Sequence, residues 1–467
     1  MPQISIDGKL YLAEHGELLS NVLIRAGFDI DHPCGGMGNC GKCIVIINGK
    51  KELSCRYRIY CDCEVELLET GNIKSVSGDE ISNLTSDNMC FALDIGTTTL
   101  ALAKVNLVYG SIVSEKTSTN PQRRFGADII SRIGYCTKHG TDEPQKMIIS
   151  VVNNMLEDVG SEGCKTLYVS GNATMLHIFF GKNPASMGVY PYIPDFIDMK
   201  EVNASDIGIN GVEKVVSLPS VGAFVGADIV AGMNYIKMPQ DGKHSILIDL
   251  GTNAEIVLFS DESSLCTAAA AGPCFEGANI SSGMSALPGA VYAYSDSGYK
   301  TVGDTVPIGI CGTGLIDIVS YMLEKGIVDK TGYVEDGEFV VCGDVTLTQN
   351  DIRQYQLAKS AIYSAVITIM KRKNVTFSDI EKVYISGGFS AEININNAVF
   401  TGLLPKEFED KCVSVKNSSL LGTVKYAYEK NDLSAYVKNS VYVDLSADKE
   451  FSDLFVDNMM FKKTHSK

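Results

Sequence analysis

Phe91-Ala-Leu-Asp94-Ile-Gly96-Thr97-Thr98-Thr99 returns later in the chain as Leu247-Ile-Asp249-Leu-Gly251-Thr252-Asn253. Each copy is an apolar run that ends in an aspartate and a tight Gly-Thr turn. A second pair follows in the same order: Leu167-Tyr-Val-Ser170-Gly171-Asn172 is echoed by Val383-Tyr-Ile-Ser386-Gly387-Gly388. Two matches in the same order define an internal duplication. Each half reads as a hairpin carrying Asp-x-Gly-Thr, then a strand that ends in Ser-Gly and leads into a helix. The expectation is two homologous α/β lobes, the second larger.

This repeat places chemistry. Backbone amides and hydroxyls at a Gly-Thr turn cradle phosphate oxygens. Gly96, Thr97 and Thr98 in one lobe and Gly251, Thr252 and Asn253 in the other are therefore candidate nucleotide contacts. Asp94 and Asp249 would face each other across a cleft and hold Mg²⁺ through water. Gly387 and Gly388 end a strand where glycine lets an adenosine approach the backbone. Gly312 and Gly314 precede the apolar helix that starts at Leu315 in a similar way. Two Gly-Ala-Asp-Ile segments, Gly126–Ile129 and Gly226–Ile229, each open a helix, and their aspartates could simply cap it. Asp228 lies directly before the second hairpin, where a carboxylate could position an attacking water, so it is the stronger catalytic candidate. Glu255 and Glu276 are weaker candidates in small, apolar surroundings. Arg123-Arg124 reads as a solvated surface pair, His32 as a surface histidine and His177 as structural.

Upstream of the duplication lies a different pattern. Residues 2–13 alternate as a hairpin turning at Asp7-Gly8, and Leu18–Ala26 follow helical spacing with Gly27 as the stop. Cys34, Cys40 and Cys43 then sit in a glycine-rich loop, spaced C-x5-C-x2-C, with Cys55 following after eleven intervening residues. Three thiolates plus one form a ligand set for a [2Fe–2S] cluster. Zinc sites draw on similar pairs but normally use two paired knuckles. Cys61 and Cys63 are the alternatives to Cys55 as fourth ligand. Short strands are expected at Cys43–Ile47 and Cys63–Leu67. Residues 1–70 thus form a small half-sheet wrapped on one helix, residues 71–89 a linker rich in Gly, Ser, Asn and Asp, and residues 90–467 the two lobes.

Composition sets outer limits. The chain has 467 residues, 45 % hydrophobic and 21 % charged, with a net charge of −16. That charge argues against nucleic acid as a partner and offers nothing to an anionic membrane. No stretch approaches a membrane span, and the N-terminus lacks the basic and apolar regions of a signal peptide, so the expected location is cytoplasmic. The chain carries fourteen cysteines. Those outside the loop read as buried thiols suited to a reducing, anaerobic cytoplasm.

Taken together, Cys34–Cys55, Asp94–Thr99, Asn120–Arg132, Ser170–Met175, Asp249–Val257, Gly272–Gly277, Gly309–Asp317, Gln356–Ala361 and Ser386–Phe389 resemble the reductive activators of corrinoid proteins. The matching segments span nearly the whole chain. The resemblance implies an N-terminal β-grasp, ferredoxin-like α+β domain followed by a two-lobed ATPase of the actin–sugar kinase–Hsp70 superfamily, a duplicated ribonuclease H-like α/β fold. It implies ATP with Mg²⁺ and a [2Fe–2S] cluster as cofactors. It also implies a low-potential electron donor and a corrinoid protein as electron acceptor, whose Co(II) is reduced to Co(I) for methyl transfer. Plant-type clusters sit near about −400 mV, and each ~59 mV uphill costs a factor of ten for one electron, which is why ATP is needed. Larger members carry an extra domain between ferredoxin and ATPase that this chain has no room for, so whether it forms a homodimer is open. Two competing readings are a redox-sensing nucleotide-binding regulator and a metabolite kinase with a regulatory ferredoxin domain. The kinase reading is the weaker, because no distinct sugar-site motif is present.

Overall fold

The computed structural model describes residues 1–6, 9–26, 43–66, 88–126, 128–236, 238–239, 242–388 and 392–461. The N-terminal sheet has strands β1 (Gln3–Ile6), β2 (Lys9–Leu12), β3 (Ile44–Ile47), β4 (Lys50–Leu53) and β5 (Cys63–Glu66), with helix α1 (Leu19–Arg25) between β2 and β3. Its strand order is β2-β1-β5-β3-β4, and β1 and β5 run parallel in the middle. This is the strand order of a β-grasp sheet. β1 and β2 pair as the alternation predicts, Ile6 opposite Lys9; the turn at Asp7-Gly8 lies outside the described residues. Ile4, Ile6, Leu19, Leu23, Val45, Ile47 and Val65 form its core. The strand β4 is unanticipated, because Lys50-Lys51-Glu52 carries no apolar pattern; it forms by pairing with β3.

The duplication is a repeat of topology. The first sheet orders β8-β7-β6-β9-β11-β10, from β6 (Met89–Ile95), β7 (Thr99–Asn106), β8 (Ser111–Thr119), β9 (Cys164–Gly171), β10 (Lys200–Asn203) and β11 (Lys214–Ser217). The second orders β22-β14-β13-β12-β20-β21, from β12 (His244–Leu250), β13 (Ala254–Phe259), β14 (Ser264–Ala269), β20 (Ile380–Ser386), β21 (Cys412–Ser414) and β22 (Ser440–Tyr442). In each, three antiparallel strands are followed by two that run parallel to the first. β6 is buried along almost its whole length, as expected for a central strand covered on both faces. Met89 already belongs to β6, so the strand begins inside the segment read as linker.

Helices cover the sheets: α2 (Ile129–His139), α3 (Asp142–Val159), α4 (Ala173–Phe179) and α5 (Ala227–Tyr235) in the first lobe; α6 (Gly312–Glu324), α7 (Gln349–Lys373), α8 (Ile395–Phe400), α9 (Ser418–Glu429), α10 (Ser434–Lys438) and α11 (Lys449–Met459) in the second. The second lobe also holds a small sheet of β15 (Ala290–Ser295), β16 (Gly298–Thr301) and β17 (Gly309–Ile310), and a ribbon of β18 (Glu338–Cys342) and β19 (Val345–Thr348). α5 and α9 are equivalent helices of the two repeats, each following the second of its sheet's two strands parallel to the first (β11 and β21), and each is lent to the other lobe. Leu420, Val424 and Ala427 of α9 pack on Cys90, Ala92 and Ala101 of the first sheet. Ile229, Val230 and Met233 of α5 share a core with Leu247, Val257 and Phe259 of the second. Among the described residues no helix is long and apolar enough to cross a membrane.

Candidate functional site

Asp94 and Asp249 occupy equivalent positions. Each lies on its lobe's central strand, opposite Ser170 on β9 in one case and Ser386 on β20 in the other. Both hairpins close on their glycine, though the second turn is one residue shorter: Gly96 N donates to Thr99 O and Gly251 N to Asn253 O, each at 3.0 Å. Beyond the two serines the strands end in glycine for a common reason. A Cβ on Gly171 would lie 2.6 Å from the Ile95 carbonyl oxygen, and one on Gly387 2.2 Å from that of Leu250. Both glycines also hold positive φ, which a larger side chain resists.

The start of α9 joins the two aspartates. Ser419 Oγ donates to Asp94 Oδ1 at 2.7 Å, and Asn417 Nδ2 to Asp94 Oδ2 at 2.8 Å. The adjacent hydroxyl, Ser418 Oγ, lies 2.7 Å from Ser386 Oγ, which in turn donates to Asp249 Oδ2 at 3.2 Å. Asp228, in the first turn of α5, completes a cluster of carboxylates. Burial, with the charges of Asp94 and Asp249, pushes its carboxyl from the ordinary 3.8 up to about 8. Burial beside Asp94 takes Asp249 to about 7. Burial also raises Asp94, against the hydrogen bonds from Ser419 and Asn417. Glu255 sits directly opposite Asp249 on β13. Burial next to Asp228 and Asp249 lifts it well above the usual carboxylate range. Like charges buried together favour a cation or bound protons.

The two Gly-Ala-Asp-Ile aspartates divide. Asp128 caps α2, its Oδ1 accepting from Ser131 N at 2.7 Å. Asp228 is inside α5 rather than its cap residue and faces the aspartates. Gly314 meets a structural demand: a Cβ there would fall 2.0 Å from the Val291 carbonyl oxygen of β15. Gly312 begins α6 and is buried. Gly388 faces open space, and residues 389–391, including Phe389, lie outside the described residues.

Sequence reading missed the residues that brace the first hairpin. Arg132 is fully buried; its Nη2 donates to Thr97 O at 2.7 Å and its Nε to Gly126 O at 3.1 Å. Burial depresses this guanidinium to about 9. Asn120 Nδ2 donates to Gly96 O at 2.8 Å. With the carbonyls of Gly96 and Thr97 tied back, the turn is held from behind. The Arg123-Arg124 pair is not uniformly solvated. Arg123 is buried and Arg124 is exposed, because successive residues of the short 3-10 helix Pro121–Phe125 point about a third of a turn apart. His177 is structural, as read: its Nδ1 lies 2.7 Å from Ala173 O, and its Nε2 accepts from Asp195 N at 2.9 Å.

Of the cluster cysteines, Cys34 and Cys40 lie outside the described residues, as does His32. Cys43 and Cys55 are both buried and are brought to one end of the β3–β4 hairpin. Ile44 pairs with Leu53, and Ser54 N donates to Cys43 O at 2.9 Å. Cys63 instead sits in the core opposite Ile4, where burial raises its thiol, and Cys61 is exposed. Among the described residues, no three His, Cys, Asp or Glu side chains converge as a ready metal ligand set.

Two lobes of repeated topology, with their hairpins apposed over a carboxylate cluster, define an ATPase-type fold of the acetate and sugar kinase, Hsc70 and actin superfamily. Residues 243–467 match the family model described as the C-terminal domain of RACo, the ASKHA domain, and residues 89–241 match the RACo middle region. The chain belongs to the reductive activators of corrinoid proteins. The first lobe is thus the family's middle region, so a middle region is present between the N-terminal sheet and the ASKHA domain, which corrects the expectation that the chain has no room for one. The chain is 26 % identical over 575 aligned positions to the corrinoid activation enzyme RamQ of Eubacterium limosum, covering 95 % of this chain and 96 % of that protein. That alignment is longer than the 467 residues here, so RamQ carries segments this chain lacks. It is 25 % identical to the [Co(II) methylated amine-specific corrinoid protein] reductase of Methanosarcina barkeri, over 67 % of this chain and 65 % of that one. The solved structure of a reductive activator for corrinoid, iron-sulfur protein superposes with a TM-score of 0.75, at 25 % identity, covering 99 % of this chain and 98 % of that one.

Proposed function

We propose that the protein is an ATP-dependent oxidoreductase that reactivates a corrinoid protein of a methyl-transfer system, reducing its Co(II) to Co(I) by one electron. The observation that carries this is similarity along almost the whole chain to an activator of this kind, joined to a carboxylate-lined cleft between two phosphate-type hairpins. In this reading Gly96, Thr97, Thr98, Gly251, Thr252 and Asn253 bind the nucleotide phosphates. Gly387 and Gly388 border the adenosine side. Asp94 and Asp249 would hold Mg²⁺, and the acidity of the cleft fits a cation there. Asp228 orients the attacking water, and it sits where both aspartates are felt.

Cys34, Cys40, Cys43 and Cys55 would hold a [2Fe–2S] cluster, which supplies single electrons at low potential from an upstream donor. The convergence of Cys43 and Cys55 at one end of a hairpin supports this ligand set over one using Cys63, whose place is in the core. The link between ATP and electron transfer must come from different affinities for two states of the partner. The shared helices α5 and α9 are the elements through which a change in the cleft reaches both lobes.

The test mixes the protein, a low-potential reductant and a Co(II) corrinoid protein, with and without MgATP, and follows the Co(I) absorption. Co(I) forming only with MgATP supports the proposal. ATP consumption without Co(I), tracking a small hydroxylated acceptor, would transfer it to the kinase class.

A further inference from the structure

Glu276 closes the 3-10 turn Pro273–Glu276 after β14. Its Oε2 accepts from Thr98 Oγ1 at 2.9 Å and also from Thr252 Oγ1. Thr98 belongs to the β6–β7 hairpin and Thr252 to the β12–β13 hairpin. One carboxylate oxygen therefore takes a hydroxyl from each phosphate-type turn, and the Thr98–Glu276 bond crosses between the lobes. Arg132, tied to the Thr97 carbonyl, adds a cation that interacts with Glu276.

The two hydroxyls are the donors a polyphosphate would use at these turns, and an anionic oxygen already engages them. We infer that Glu276 is a positioning residue that latches the two hairpins to each other until a nucleotide triphosphate competes for the same hydroxyls. The inference rests on the nucleotide reading above. Hydrogen bonds to a charged acceptor are the strong ones, so a nucleotide that must displace this acceptor binds more weakly than the bare hairpins would allow. The same exchange gives a route from occupancy to lobe contact. Nucleotide and the cross-lobe bond exclude one another, and such coupling is reciprocal.

The full-length protein, with E276Q and E276A, is titrated calorimetrically with MgADP and with a non-hydrolysable MgATP analogue. The analogue should bind E276A about tenfold more tightly than wild type, the worth of a charge-assisted hydrogen bond. E276Q, which keeps an acceptor but loses the charge, should fall between. Hydrogen exchange at residues 96–99 and 251–253 of the nucleotide-free protein should be faster in E276A and return to wild-type protection with the analogue bound. Should E276A melt early, E276Q carries the test, since it keeps the side-chain shape. Wild type that binds the analogue while folded variants bind it no more tightly overturns the latch alone. Wild type that binds neither nucleotide overturns the nucleotide reading and the latch with it.

Discussion

Ser419 Oγ donates to Asp94 Oδ1 at 2.7 Å across a separation of 325 positions, from a repeat helix of one lobe to the central strand of the other. Its neighbour Ser418 serves Asp249 through Ser386. Two consecutive hydroxyls on one helix turn therefore set the orientation of both aspartates.

Ser419→Ala removes one donor from a buried carboxylate and leaves Ser170, whose Oγ lies 2.9 Å from Ser419 Oγ, with a broken network. Stability should fall by about 1–3 kcal/mol, the usual cost of an unsatisfied buried polar group, measured by urea unfolding. ATPase turnover should fall with it while the iron–sulfur spectrum stays unchanged. Wild-type stability and turnover in the variant would show that the bond does not orient Asp94.

The carboxylate cluster gives the nucleotide-free protein a particular pH dependence. Asp228 and Asp249 bind protons up to about 8 and about 7, whereas their ordinary value is 3.8. Between those values the folded state holds protons that the unfolded chain has released, so this contribution is complete below about pH 4 and is lost progressively as pH rises to about 7 for Asp249 and about 8 for Asp228. Burial keeps His177 and His244 below their ordinary 6.5, so neither histidine opposes the trend above about pH 6.5. The melting temperature should therefore drop from about pH 4 up to about pH 8 and level off above it, with the stretch from about pH 6.5 to 8 free of any histidine opposition. Asp228→Asn should flatten the drop, and MgATP should stabilise more at the upper end. A melting temperature that climbs over this interval would contradict the cluster as described.

Cys55→Ala should abolish the iron–sulfur absorbance and the signal of the reduced cluster. Cys63→Ala should keep both and instead lower stability by about 1–2 kcal/mol, the cost of a small cavity in the core, because Cys63 packs with Ile4, Ile6 and Val65. Retention of the spectrum in Cys55→Ala, with its loss in Cys61→Ala, would move the fourth ligand to Cys61.

What could be read from the chain followed the duplication. Asp94, Asp249, Ser170, Ser386 and the turns beside them were visible because each repeat carries the same local pattern, and Asp228 because its segment occurs twice. Arg132, Asn120, Asn417, Ser418 and Ser419 were not, because their roles exist only once distant elements meet; nothing local distinguishes Ser418-Ser419 from an ordinary helix start. Glu276 ranked low for a similar reason: its partners, Thr98 and Thr252, come from two different hairpins. Gly314 has a packing reason that its position at a helix start does not reveal: Val291 of β15 leaves no room there for a Cβ.

The crossing of α5 and α9 makes the last prediction the most severe. A Cβ on Gly422 would fall 1.8 Å from the Ala231 carbonyl oxygen, and one on Gly232 2.9 Å from Ser418 Oγ. Asn234 Nδ2 donates to Gly422 O at 3.0 Å, and Lys425 Nζ to Asn234 O at 2.9 Å, so backbone and side chains are locked on both sides of the contact. The clash at Gly422 is with backbone and no rotamer change relieves it. Gly422→Ala should force the helices apart at a cost of about 1–3 kcal/mol or more, and it should drag Ser418 and Ser419 off their aspartates. ATPase activity should then be lost at temperatures where circular dichroism still reports folded helices, and Ser419→Ala added to Gly422→Ala should cost little further turnover. Full additivity of the two changes would mean that the helix crossing and the aspartates are independent.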